Sequence, residues 1–564
     1  MRKLIFLLFL MAIWTRPAHA AGGSCPQGVP TGITKCYYID FASGSDTNAG
    51  TDESTPLKHS VGMKGCTANC SSMSLGGGVG VIFKGGVTWD YTIWPWQPYK
   101  SGSGGGDKYG GCSGAGCLYY GVDKNWYAGA SWSRPIFSGG GWSNPGTNTI
   151  CNRSGGTFLD LSYSKYIIID NFEFTEMCSN TGSNGKVYYI QNANGSGGGN
   201  FTVQNSYFHG ARFPASAVPA HGDYWAAIGT FDGTLHFTYN VVDGSDSGPT
   251  PTFSTLAGKY TGEAIYASTA TVDHNVMYNI TQALDIIPIS INNNYMYNAS
   301  ATSLESDVHS HIANDNGCNN QVTIYNNVVD TVVSGQGWQP GGGPCTYFFF
   351  NSIWSNSIMS QNGGRMLNVG PTSSTFHFFN NTMECGQDNA PATGGCGHFN
   401  QATFHVYNSH FVGGAVDCGQ NVAPCGSWTT SAGTLTNASF GSIPGNPTDI
   451  LTQTQSTANA AKYVYNAIFQ FAPSSNSSST VGKGINLMSL CNQINDPDAL
   501  AACKSDTTYA VSYDQVNHRA IPSGRAIVAR PSSGSWDIGA YQYGSSSSNA
   551  PTVQPPADLS ATVN

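Results

Sequence analysis

The stretch Ile289-Ser290-Ile291-Asn292-Asn293-Asn294-Tyr295-Met296 has a partner 33 residues on, Val322-Thr323-Ile324-Tyr325-Asn326-Asn327-Val328-Val329. Each is a short alternating apolar run, an amide at a bend, and a second apolar run, the pattern of two strands meeting at a corner. Working outward, the same unit recurs as IIIDNFEF (167–174), FTVQNSYF (201–208), LHFTYNVV (235–242), ATVDHNVM (270–277), FHFFNNTM (376–383) and FHVYNSHF (404–411), with a weaker copy, IWSNSIM (353–359). Aligning the bend gives Asn171, Ser206, Asn240, Asn275, Asn294, Asn327, Ser357, Asn381 and Ser409, at intervals of 19 to 35 residues.

One such unit cannot bury its inner face alone, whereas stacked units close a continuous core. Asparagines stacked at one corner can hydrogen-bond along the stack, and asparagine tolerates the left-handed backbone of a tight bend. The expected fold class is therefore all-β: a right-handed parallel β-helix, or solenoid, with loops of unequal length between rungs. A β-sandwich would show hairpin turns every 8–12 residues or so instead of a recurring amide corner.

Composition agrees. The chain has 564 residues, a formal charge of -9, 70 glycines and only 10% charged residues. An ordinary soluble domain carries about 25%. So few cations argue against a nucleic-acid partner, whose phosphates need clustered Lys and Arg. The composition also argues against a helical bundle or coiled coil, while 40% hydrophobic content argues against disorder.

The N-terminus has the form of an export signal over residues 1–20, with Arg2 and Lys3, an apolar run from Leu4 to Trp14, and Ala18-His19-Ala20 as a cleavage site. No later segment is long and apolar enough to predict a membrane span. The 16 cysteines, all beyond the signal, fall into local couples: 25/36, 66/70, 112/117, 151/178, 318/345, 385/396, 418/425 and 491/503. In an oxidising compartment these predict disulfides that tie off loops. Zinc half-sites at Cys66/Cys70 and Cys112/Cys117 are the alternative. The expected location is extracellular or at the cell surface, and the expected state a monomer.

Three features together resemble the secreted right-handed parallel β-helix proteins of the pectate-lyase-like superfamily. They are the opening Tyr37-Tyr38-Ile39-Asp40 with Gly44-Ser45-Asp46 through Gly50-Thr51 to Pro56, the corner repeats, and the closing Arg530-Pro531 with Asp537-Ile538-Gly539-Ala540-Tyr541-Gln542-Tyr543. The resemblance implies the fold. For activity it implies only a choice, since the superfamily hosts lyases, hydrolases, epimerases and non-catalytic adhesins. The organisation expected is an N-terminal cap and first rungs over 21–164, central rungs over 165–425, loop-rich final rungs and a cap over 426–543, and a Ser/Pro-rich tail over 544–564.

Chemistry is expected on the strands that precede the corner strands, since stacking brings equivalent positions of successive rungs to about 4.8 Å. Taking the residue ahead of each apolar pair gives a column of Glu263, Asp285, His311, Arg365 and His398. The alternating run Glu305, Asp307, His309, His311 would share one strand face. Carboxylates at Glu263, Asp285, Glu305 and Asp307 suit Ca²⁺. No organic cofactor is implied.

Two enzymatic readings follow. A polysaccharide lyase would use Lys259, His309 or His311 as base, with Ca²⁺ or Arg365 neutralising a uronate. A glycoside hydrolase would use Glu263 and Asp285, expected ~5 Å apart on adjacent rungs, as a retaining pair. The lyase is the first expectation. A non-catalytic adhesin or glycan-binding solenoid is the third reading. Trp225, Trp338 and His398 are expected to bind the sugar chain. Trp94 and Trp96 are assigned to capping the N-terminal end of the core.

Overall fold

A computed structural model describes residues 22–140, 156–177, 187–192, 198–214, 225–245, 248–250, 262–298, 311–315, 317–318, 320–330, 336–340, 343–355, 365–369, 373–384, 395–399, 403–412, 416–417, 451–453, 469–473 and 475–544. Residues 1–20, expected as an export signal, and the tail beyond 544 lie outside these residues. The strands stack in parallel as a right-handed β-helix. Among the described residues, no helix is long and apolar enough to cross a membrane.

Each full rung has three strands. The first face includes Gly156–Asp160, Val187–Asn192, His311–Asp315, Gln336–Gln339 and Arg365–Val369. The second runs from Lys35–Ile39 through Val79–Gly85 and Asn200–Gln204 to Thr403–Tyr407. Three long strands, Trp225–Thr238, Glu263–Asp273 and Gln282–Asn292, pass unbroken from the first face to the second and join them into one 19-stranded sheet. The third face is a separate 12-stranded sheet beginning at Thr88–Trp89 and ending at Leu451–Gln453.

The corner between the second and third faces divides its work between two consecutive residues. The first takes the left-handed backbone: Asn205, Tyr239, His274, Asn293, Asn326, Asn351, Asn380 and Asn408 all have φ between 43° and 56°. At Tyr239 and His274, where no amide eases that geometry, the two rings stack with centroids 4.7 Å apart. The second residue turns inward and builds the ladder. Asn275 Nδ2 donates to the Phe237 carbonyl on the preceding rung at 2.8 Å, and its Oδ1 accepts the Asn240 N–H at 2.8 Å. Asn240, Asn294, Asn327 and Asn381 repeat the arrangement. Every ladder amide thus satisfies backbone groups that burial would otherwise orphan.

Two expectations are corrected here. Asn171, with φ 62°, is a left-handed corner residue; Phe172 stands at its ladder position and has no side-chain amide to offer, its N–H donating to Ser206 Oγ. Ser357 lies outside the described residues; the bend that stacks between Asn327 and Asn381 is Asn351-Ser352, whose Ser352 N–H donates to Asn381 Oδ1.

The interior is aromatic near the N-terminus, where Trp89, Trp96, Phe137 and Phe174 stack in succession. Trp94 and Trp96 belong to this core. Five of the expected cysteine couples are disulfides, 25–36, 66–70, 112–117, 318–345 and 491–503, so the zinc reading of Cys66/Cys70 and Cys112/Cys117 falls. The other three couples involve residues outside the described ones.

The C-terminal segment, 469–544, lies back along the outside of the corner. Asn408 exchanges two hydrogen bonds with Ile485, Asn351 Nδ2 donates to the Ala502 and Ser505 carbonyls, and Thr508 Oγ1 donates to Asn293 Oδ1. At the far end the buried Arg134 donates to the Asn205 carbonyl of the solenoid and to the Asn517 and His518 carbonyls of the hairpin Val511–Pro522.

Candidate functional site

The register of the first face decides which side chains can act together. Ile190, Ile228, Ile265, Leu284, Ala313, Trp338 and Leu367 are in-register neighbours along the stack. The residue before each of the middle members also faces the core, as at Ala264, Ala283 and Ile312. Two inward residues in a row interrupt the alternation of a regular strand, and the outward positions fall on either side of them.

Two outward columns result. One holds Tyr188, Ala226, Glu263 and Gln282, and continues with positions 311, 336 and 365. The other, three residues further along each strand, holds Gln191, Gly229, Tyr266, Asp285, Asn314 and Gln339, and continues with positions 368, 398 and 417. The single expected column is therefore two. Glu263 pairs with Gln282, while Asp285 pairs with Tyr266 and Asn314. His311 and Arg365 share the first column and His398 belongs to the second. Lys259, Glu305, Asp307 and His309 lie outside the described residues.

Around Asp285 the outward side chains suit sugar recognition. Tyr188 and Tyr266 stack with ring centroids 6.2 Å apart and planes at 21°. They sit two rungs apart, and Gly229 lets them meet: a Cβ there would lie 2.7 Å from Tyr188 Cδ1. Asn314 Nδ2 donates to Asp285 Oδ1 at 3.4 Å. Glu263 is almost wholly closed from solvent, and Asp285 is half-buried. Flat rings beside a carboxylate and amides are the usual furniture of a carbohydrate site.

Trp225 and Trp338 do not belong to this face. Both point into the solenoid interior, at 1% and 3% exposure, edge-on to Tyr189 and Tyr347 respectively. Their strands place them at inward positions, so they fill the core.

Asp315, next along from Asn314, also faces inward, and Tyr347 Oη donates to it at 2.5 Å. Burial, with the Asp285 charge added, pushes its carboxyl up to about 7 against the Tyr347 and Gly317 hydrogen bonds. It is an interior group that caps the turn at Gly317. Glu263 and Asp285 are too far offset in register to share one ion. Among the described residues, no group of three or more His, Cys, Asp or Glu side chains is placed to hold a metal, and Glu305 and Asp307, the other two expected Ca²⁺ ligands, lie outside those residues.

A second polar cluster lies on the second face. His236 Nε2 meets Asp273 Oδ2 at 2.5 Å, and its Nδ1 faces Asp107 Oδ2 at 3.5 Å. Tyr109 lies over the imidazole and His274 Nδ1 meets Asp273 Oδ1 at 2.7 Å. Burial opposes the charge on His236, but hydrogen bonds and the charges of Asp107 and Asp273 outweigh it and push the imidazole up to about 9. Both carboxyls are held below their usual range, His236 overcoming their burial. Asp107 belongs to the N-terminal excursion closed by Cys112–Cys117. That excursion is sewn to the sheet by Thr202 and Thr234, so the cluster is a clamp.

Sequence reasoning overlooked Tyr188, Tyr266, Asn314 and Gln339. The signal that finds them is the Ile190/Ile228/Ile265/Leu284 alignment, which carries each to its column.

No protein-family model and no curated protein sequence matches the chain. Among solved structures, the native and selenomethionine forms of a GH136 lacto-N-biosidase from Eubacterium ramulus match it with TM-scores of 0.39 and 0.40. Their identities are 13% and 12%, each covering 70% of this chain and 67% of that one.

Proposed function

We propose that the protein is a secreted glycoside hydrolase acting on a neutral glycan, with Glu263 and Asp285 as its carboxyl pair. The observation that supports this is their placement on adjacent strands, three residues out of register, on either side of Tyr266. Strand spacing separates their Cα atoms by roughly 10 Å along the chain and about 4.8 Å across it. Their Cα atoms are thus about 11 Å apart, and carboxyl groups leaning toward each other would fall nearer the ~6.5–9.5 Å that leaves room for water in an inverting pair than the ~5 Å of a retaining one.

In this mechanism Glu263, closed off from solvent, gives its proton to the leaving glycosidic oxygen. Asp285, steadied by Asn314, takes a proton from the water that attacks the opposite side of the sugar. Tyr188 and Tyr266 hold the ring in place. The bond to the leaving oxygen breaks as the water oxygen bonds to the anomeric carbon, so the product anomer is inverted.

A neutral substrate fits better than a polyanionic one. The described side chains of this face are acidic or uncharged, and the chain carries -9 overall, so a uronate chain would be repelled. Lyase chemistry, the first expectation from sequence, would draw its cation from Arg365 or His311, whose backbone positions lie further along Glu263's column, whereas the carboxyl pair sits on adjacent strands. Five disulfides favour an extracellular setting.

The test is a panel of neutral and uronate glycans. The expected products are new reducing ends without an unsaturated sugar, with an inverted anomer seen by proton NMR at early times. Glu263→Gln and Asp285→Asn should each lower kcat about 10²–10⁴-fold. Unchanged rates in both variants, or an unsaturated product, would sink the proposal. Binding without cleavage across the panel would leave a glycan-binding solenoid.

A further inference from the structure

Two tyrosines at the N-terminal rim of the same face have no structural reason to be where they are. Tyr99 and Tyr163 are 53% and 62% exposed, among the most exposed large side chains described. Their ring centroids lie 6.3 Å apart with planes at 48°. Both have left-handed backbone, with φ of 46° and 66°. That conformation is unfavourable for a bulky side chain, and Asn or Gly would relieve it. Strain of this sort persists where a site needs the side chain. Here the strain serves no packing, because the rings face solvent.

The neighbouring geometry says what the site faces. The turns that carry the two tyrosines are stacked: Gly102 N–H donates to the Lys165 carbonyl, and Lys165 N–H donates to Ser101 Oγ. Just before them, Gln97 Nε2 donates to Asp160 Oδ2, and Asp160 pairs with Gln191 at the head of the second outward column. From Asp160 that column steps through Gln191, Gly229 and Tyr266 to Asp285. Four rungs at about 4.8 Å put the tyrosines roughly 19 Å from Asp285 along the solenoid axis.

We propose that Tyr99 and Tyr163 form a distal sugar-binding subsite for a glycan long enough to lie along the solenoid axis to Asp285. This rests on the glycan-acting reading above and adds to it the substrate's length and direction. The occupant is a sugar chain because the path between the two sites runs past Asp160, Gln191 and the stacked rings of Tyr188 and Tyr266 to Asp285, hydrogen-bonding side chains beside flat aromatic faces. Stacking on the paired rings supplies affinity remote from the reacting bond, and a chain too short to reach them gains nothing from them.

The experiment compares long and short oligomers of whichever neutral glycan is cleaved, in the wild type and in the double variant Tyr99→Asn/Tyr163→Asn. Asparagine suits the left-handed backbone, so the variant should melt at the same temperature or higher. KM for the long oligomer should rise about tenfold and KM for the short one should stay unchanged. In the Glu263→Gln background, gel retardation by the long glycan should weaken to the same degree.

Equal KM rises for both lengths, unchanged long-chain binding, or a lower melting temperature would overturn the subsite. Failure of the catalytic assignment reads out separately. If Glu263→Gln and Asp285→Asn stay active while the tyrosine variant loses retardation, the subsite stands and the carboxyl pair falls. If those two are inactive and the tyrosine variant behaves as wild type, only the subsite falls.

Discussion

The Asn corner and the first face are edges of one solenoid, and they treat polar side chains in opposite ways. At the corner asparagine returns at five ladder positions, with serine at Ser206, Ser352 and Ser409. Each ladder amide is fully buried, and its donors and acceptors are taken up by backbone of the neighbouring rungs. Along the described second column of the first face no residue type repeats on consecutive rungs. Glutamine, glycine, tyrosine, aspartate and asparagine follow one another at one register, with Tyr266, Asp285 and Asn314 half-buried. A column of identical polar residues is scaffolding that has closed on itself, whereas a column of unlike ones is free to meet a ligand.

The largest effect that tests this contrast is at the corner. Asn275→Leu removes an amide that serves the Phe237 and Asp273 carbonyls and the Asn240 N–H. Orphaning these buried groups should cost about 3–4 kcal/mol, read as a lower denaturant midpoint at unchanged slope. A loss below 1 kcal/mol or so would mean the ladder is ornamental.

Next in size is the clamp on the second face, which should show a pH window. His236 is raised in the folded state, so its contribution is complete below the unfolded value near 6.5 and fades as pH rises through about 9. Asp107 and Asp273 are lowered, so theirs is present above their unfolded values near 4 and is lost on acidification. Melting temperature should therefore be highest between roughly pH 4 and 6.5 as far as this cluster is concerned. His236→Gln should flatten that dependence and cost about 1–2 kcal/mol inside the window. A parallel pH profile in the variant would remove the clamp.

The smallest effect completes the comparison. Asp285→Asn, which should abolish turnover, should shift stability by no more than about 0.5 kcal/mol, as a surface change away from packing does. A loss as large as that at Asn275 would make Asp285 a structural residue and remove the distinction between the two edges.

How much of this was legible in the sequence follows the same division. The solenoid could be seen because Asn240, Asn275, Asn294, Asn327 and Asn381 return at the same corner position, with Ser206, Ser352 and Ser409 standing in at other rungs. Of the two corrected bends, Asn171 was read one residue early, and Ser357 was chosen because Asn-Ser occurs twice in that stretch, at 351–352 and 356–357. Only backbone pairing selects the first. On the first face no residue is obliged to recur, and the paired inward residues at Ala264/Ile265 and Ala283/Leu284 break the two-residue period. The rule of taking the residue before an apolar pair then slipped by three positions at Asp285 and at His398, but not at Glu263, His311 or Arg365. Trp225 and Trp338 were misplaced because large flat rings suit a wide lumen as well as a sugar.

The returning C-terminal segment changes how such a stack can come apart. A tower of repeats held only by nearest neighbours frays from whichever end is weaker, one coil at a time. Here the last eighty or so residues reach from the final coils back to Arg134 near the first ones, docking on side chains at several levels between. Peeling off an end coil therefore means undoing a tether anchored at the opposite end. A row of local bonds becomes a single cooperative unit.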